Sequence, residues 1–173
     1  MMTESELRTA KINGAVADVA LEQSMRRLDD VLAIKASFEA KALALFSGYT
    51  TVALALFGAA GYANEKTMTA LFYPLALSGF VFVAGSGFLL AALGLDTYGA
   101  TGSHPGMWLV PGVIDGGAAV LPEMKASLAY YHAERIEVSV TANLRKAQHI
   151  RTAVWVGFSA PIVLVIALIV ALR

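Results

Sequence analysis

The sequence predicts an all-α integral membrane protein. Three transmembrane helices carry a long N-terminal cytosolic helix and a cytosolic loop-plus-helix insertion. Three observations predict it. Of 173 residues, 57% are hydrophobic and only 15% charged, with a mean hydropathy of +0.64, whereas soluble domains run near 45–50% apolar and about 25% charged. Three stretches carry no charge: Ala42–Asn64, Thr67–Leu95 and Thr152–Leu172. At 23, 29 and 21 residues, each meets the roughly 20 needed to cross a bilayer core of about 30 Å. Basic residues are also unevenly distributed. Eleven of the thirteen lie before the first stretch or between the second and third, which places both regions in the cytoplasm and the C-terminus outside.

These boundaries divide the chain into a cytosolic amphipathic helix (1–41), a transmembrane hairpin (42–95), a cytosolic loop and helix (96–151) and a third transmembrane helix (152–173). Unbonded backbone groups are too costly in lipid, so the spans are helices. The second is longer than required and is expected to tilt, kink or emerge at one end. Pro74 marks a first turn, a kink or the interfacial entry. Asn64, Glu65 and Lys66 form the short outer hairpin. The first 30 residues hold ten charges and no apolar core of signal-peptide type, so the N-terminus is expected to stay where it is made.

Residues 3–41 read as one helix. Thr3 and Glu6 fit a capping box. Glu4/Arg8, Glu22/Arg26, Arg26/Asp30 and Lys35/Glu39 are opposite charges one turn apart. Leu21, Met25, Leu28 and Leu32 follow the 4-3-4 spacing of a helix-pair seam, and Ile12, Val16 and Val19 form a shorter one out of register with it. The seam needs a partner: the second cytosolic helix, another subunit, or both. A membrane-surface helix would carry a more basic polar face than this one.

Residues 96–121 are rich in Gly and Pro, so a regular helix is not expected before about Gly117. Trp108, Leu109 and Val110 would anchor a structured loop. Pro122 and Glu123 suit the start of a helix. It would run through Lys146 and could continue into the third span, with Met124, Leu128, Tyr131 and Val138 facing inward.

Signatures of catalysis are missing. The three histidines are scattered, no cysteine occurs, and no phosphate-cradling glycine loop is present. Ser47, Ser78, Ser86 and Ser159 lie in spans without a base to activate them. Charge-free spans disfavour a proton-coupled transporter. The reading is therefore a non-enzyme without a catalytic cofactor or metal, and zero net charge speaks against duplex nucleic acid as a partner.

Small residues in the spans point to helix association within or between subunits. Ser47, Thr51, Ala55, Ala59 and Ala63 form one ladder, and Ser78, Gly85 and Ala92 recur every seven. Gly87 and Ala91 are a small-xxx-small pair, and Gly58, Gly61 and Gly85 are further packing candidates. Three helices cannot enclose a pore alone, but a ring of subunits can. Its lining would include Ser78 and Ser86, and Phe80, Phe82 and Phe88 are candidates for a hydrophobic gate. Lipid-facing phenylalanines are the plainer alternative.

The stretch from Leu28 to Gly48 resembles the entry to the span pair in bacterial anti-phage membrane effectors of the Pycsar and CBASS nucleotide-signalling systems. The loop Ser103-His-Pro-Gly-Met-Trp, the helix around Tyr130-Tyr131-His-Ala-Glu-Arg-Ile and the third span look closer to the channel effector of Hailong-type systems. That resemblance implies a homo-oligomeric channel, expected as a tetramer, in the bacterial inner membrane. A partner nucleotidyltransferase would make its nucleotide signal. In the Hailong case single-stranded deoxyadenosine oligomers hold the channel closed, and their loss depolarises the cell in abortive infection.

An anionic oligonucleotide needs cations for phosphate and flat faces for bases. Arg135, Arg145 and Lys146 are candidates for the first task. Tyr130, Tyr131, His104 and Trp108 are candidates for the second. Positive-inside anchoring would equally explain Arg145, Lys146 and Arg151. A ligand-independent holin-like pore and a non-pore accessory subunit remain as alternatives.

Overall fold

The computed structural model describes residues 12–94 and 115–172. Among them the regular structure is entirely helical. Helix α1 runs Gly14–Glu65, α2 runs Thr69–Leu93 and α3 runs Leu121–Ala171. A short 3-10 turn, Gly117–Ala119, precedes α3. All three helices are long and apolar enough to cross a membrane. The expected cytosolic helices and spans are continuous: α1 has 52 residues and α3 has 51, about 78 Å and 77 Å at 1.5 Å per residue. Neither Phe38–Leu45 nor His149–Trp155 contains a Gly or Pro that would break a helix where the two regions join.

Asn13 starts α1. Its side chain accepts the Ala15 N–H at 2.9 Å and its carbonyl accepts from Ala17, the arrangement of an N-cap. The expected capping box at Thr3 and Glu6 lies outside the described residues. At the other end the chain turns through Lys66–Met68. Met68 N–H donates to the Ala63 carbonyl and Thr67 N–H to that of Asn64, the bond pair of a Schellman turn. Thr67 occupies the left-handed position, φ 58°, that glycine usually takes.

Two compact units divide the chain: 1–35 with 96–142, and 36–95 with 143–173. In the first, α1 and α3 run parallel. Lys125 pairs with Asp18, and His132 meets Ser24, at sequence separations of 107 and 108. The first part of α3 is thus a partner of the α1 seam. Buried residues on α1 are Ala17, Leu28 and Val31, with Leu21, Ser24 and Lys35 half-buried. These positions step 4-3-4-3-4, a heptad seam. Two expectations are corrected. Met25 is 50% exposed, and Val31 takes the inward place beside Leu28. Val16 and Val19 are also exposed, because the stripe through Ala17 and Ser24 turns them outward, and Val138 is exposed because His132 and Ser139 take the inward face of its own helix.

The second unit packs three helices. Ala42, Leu89, Ala92 and Ala153 form its core, with Leu45, Phe46, Tyr49, Leu93 and Ile150 against it. Three of the four buried core positions are alanines, which lets the helices approach closely. Helix α2 runs antiparallel to α1: Gly79 lies against Phe57, and Gly85 against Tyr49. Pro74 sits within α2 and is fully buried. Of the glycines expected to serve packing, Gly85 does so. Nothing lies within 4 Å of where a side chain would start at Gly58, Gly61 or Gly87, so these face outward from the protomer.

Candidate functional site

In the first unit the helix pair carries a polar stripe. His132 is 3% exposed and Ser139 is 0% exposed. They sit seven residues apart on α3, at the same seam position. The Ser24 hydroxyl donates to the Leu21 carbonyl at 2.8 Å and lies 3.2 Å from His132 Nδ1. His132 Nε2 and Ser139 Oγ are buried without a hydrogen-bond partner. Burial holds the imidazole below its ordinary value of 6.5. Arg135 pushes it further down, and Asp29 draws it partly back up. The rings of Tyr130 and Tyr131 meet edge-on at 6.2 Å and are half-buried, as is Arg135. Tyr131 and Arg135 are one turn apart and share a face.

In the second unit Lys146 is 2% exposed, and its Nζ donates to Glu39 Oε1 at 2.9 Å. Asn143, one turn earlier, is also buried. Arg145 is exposed. The expected phosphate contacts therefore separate by environment. Arg145 stands in solvent, whereas the Lys146 ammonium is committed to a carboxylate inside the seam. That corrects the expectation that Lys146 offers its charge to a ligand: one helical position turns it from the outer face to the inner. Arg135 and the tyrosines belong to the first unit, and Arg145 and Lys146 to the second. His104 and Trp108 lie outside the described residues.

The expected pore residues separate in the same way. Ser78 and Ser86 are buried within the protomer, and their hydroxyls donate to the Pro74 and Phe82 carbonyls of their own helix. They do not face outward as a lining would. Phe82 is half-buried, edge-on to Tyr49 at 5.2 Å. Phe80 is 62% exposed and meets Phe57 edge-on. Phe88 is 39% exposed.

The outer surface of the second unit is uneven. Helices α2 and α3 expose large groups, including Tyr73, Leu77, Trp155, Phe158 and Ile162. On α1 the positions Ala40, Ala44, Ser47, Thr51, Ala55 and Gly58 are all exposed and follow 4-3-4-4-3 spacing, so they form one face. Most of the expected ladder thus points away from the chain's own core: Ser47, Thr51, Ala55 and Ala59 are exposed, and only Ala63 is buried. Helix α2 adds a shorter outward set, Ala84, Gly87 and Ala91. Ser78, Gly85 and Ala92, by contrast, pack inside the protomer.

Sequence reasoning missed the Ser24–His132 contact, the Glu39–Lys146 pair and the role of Tyr49. A signal for the first two existed: His132, Ser139 and Lys146 recur every seven residues, the period of a seam. Tyr49 donates to the Ala153 carbonyl at 3.0 Å, and its ring lies against Gly85 and Gly157.

No protein-family model matches the chain, and neither curated proteins nor solved structures yield a match.

Proposed function

We propose that the chain is a subunit of a homo-oligomeric ion channel of the bacterial inner membrane, an anti-phage effector gated by a nucleotide oligomer. The outward face of α1 carries this reading. Small and hydroxyl-bearing side chains there leave room for a neighbouring helix or for water, while α2 and α3, like Leu43, Val52 and Leu54 elsewhere on α1, present bulky apolar groups suited to lipid. Ser47 and Thr51 supply the hydroxyls of that face, and no charge interrupts Ala42–Asn64. On this reading the wall of the pore is α1, not the Ser78/Ser86 face of α2.

Insertion is supported by matched lengths. Lys41 and Lys66 flank the charge-free part of α1, 25 residues or about 37 Å apart, enough for the hydrocarbon core and part of each interface. Exposed Tyr62 and Tyr73 lie toward the hairpin end, and exposed Trp155 follows Arg151 by one turn. Such residues favour the headgroup level. The N-terminus is then cytoplasmic and the C-terminus periplasmic. Nucleotide gating rests on the resemblance, with the half-buried rings of Tyr130 and Tyr131 in the first unit as its stacking groups.

Current through a planar bilayer holding the purified protein, with and without short deoxyadenosine oligomers, tests the reading. Conductance blocked by the oligomer supports it, and Thr51→Leu then changes unitary conductance while Phe80→Leu does not. Conductance indifferent to the oligomer removes the nucleotide and leaves a pore. A detergent-solubilised monomer that never conducts overturns the channel.

A further inference from the structure

We propose that His132 is a proton sensor built into the α1–α3 seam of the first unit, and that protonating its Nε2 loosens the two helices there. The hydrogen bonds fix the starting state. The Ser24 hydroxyl has one proton, and the Leu21 carbonyl takes it. Ser24 Oγ can then only accept from His132, so Nδ1 carries the ring proton and Nε2 is a bare lone pair. In a buried seam this neutral tautomer is tolerated. Adding a proton to Nε2 creates a charged donor, and Nε2 has no acceptor. Ser139 holds the same seam position on α3, but seven residues of helix separate the two by about 10 Å along the axis. A buried cationic donor without a partner is strongly disfavoured, and opening the seam to water relieves it.

Charged groups face the ring from both helices. Asp29 on α1 favours the imidazolium, and Arg135, one turn along α3, opposes it more strongly. Burial acts in the same direction as Arg135, so the closed seam selects the neutral ring. The Asp18–Lys125 pair lies nearer the start of both helices. The sensor is thus one residue. It responds on the acid side of neutrality, and it works whether or not the oligomer conducts.

Hydrogen exchange of the full-length protein in nanodiscs, between about pH 7.5 and about pH 5.5, tests this. After correction for intrinsic chemistry, amides of 14–35 and 121–142 should exchange about tenfold faster at the acid end. His132→Asn keeps a donor toward Ser24 but does not titrate, and should abolish the acceleration. Asp29→Asn, at an exposed position, removes an anion that favours the imidazolium in the closed seam, so it should enlarge the acceleration at the acid end. Nitrogen NMR of the ring should show the Nδ1–H tautomer at neutral pH. An unaccelerated wild type, an equal acceleration in His132→Asn, or a ring protonated on Nε2 at neutral pH would each overturn the proposal. Should His132→Asn fail to fold, the Asp29→Asn acceleration and the tautomer still decide.

Discussion

Lys146 Nζ lies 2.9 Å from Glu39 Oε1, with the lysine 2% exposed and the carboxylate side chain 38% exposed. The two differ in how much water they retain, so they differ in what their loss costs. Glu39→Gln takes a carboxylate away from a buried ammonium and should destabilise the second unit by roughly 2–4 kcal/mol. Lys146→Met keeps the volume and removes the charge, leaving a carboxylate that still reaches water. It should cost less than half as much. Chemical denaturation in a fixed detergent reads both. Equal losses would show that volume rather than charge holds this layer.

Tyr49 is clamped by glycines on two other helices. A methyl at Gly157 would collide with its hydroxyl, and one at Gly85 would fall 2.7 Å from its ring. Gly157→Ala should therefore cost about 2 kcal/mol by overpacking. In a Tyr49→Leu background that penalty should largely vanish, since the obstructing group is gone. A double-mutant cycle on thermal stability checks the coupling. Additive losses would mean that Tyr49 does not set the spacing.

Thr67 pays steric strain at φ 58°, where its β-branched side chain crowds the backbone. Thr67→Gly should stabilise the hairpin by about 1 kcal/mol, whereas Met68→Gly, at an ordinary backbone position with φ −84°, should not. Denaturation midpoints of the two variants make the comparison.

The stability of the first unit should depend on pH through His132. Its folded-state pKa is lowered from 6.5, so the unfolded chain binds more protons once the pH drops below that value. The stabilising contribution is whole above about 6.5 and is lost as pH falls through the lower, folded-state value. His132→Asn should flatten that part of the profile. An increase in stability on acidification through this window would contradict the sign.

Charge-free stretches fixed the three apolar segments to within a few residues, because twenty consecutive uncharged positions have few alternatives in a chain this short. Periodicity also located a seam near Leu28. It could not tell which polar residues were inside. Lys146 read as a phosphate contact or an anchoring cation and His132 as one of three scattered histidines, and the seven-residue spacing that joins both to Ser139 acquired meaning only with α1 beside them. Nor could small residues declare their direction. Ser78 and Gly85 pack inward while Ser47, Thr51 and Gly58 face outward, although the local pattern is alike.

The sequence by itself determined that this chain is helical, where its apolar segments fall and where its helices can begin. Those are properties of local composition and of period along one strand of backbone. Only the tertiary structure decided that α1 and α3 run parallel, that Glu39 meets Lys146 and Ser24 meets His132 across more than a hundred residues, and that α1 turns its small face outward. Each of these depends on the register between helices, which is set by how side chains from distant parts of the chain fill the same space.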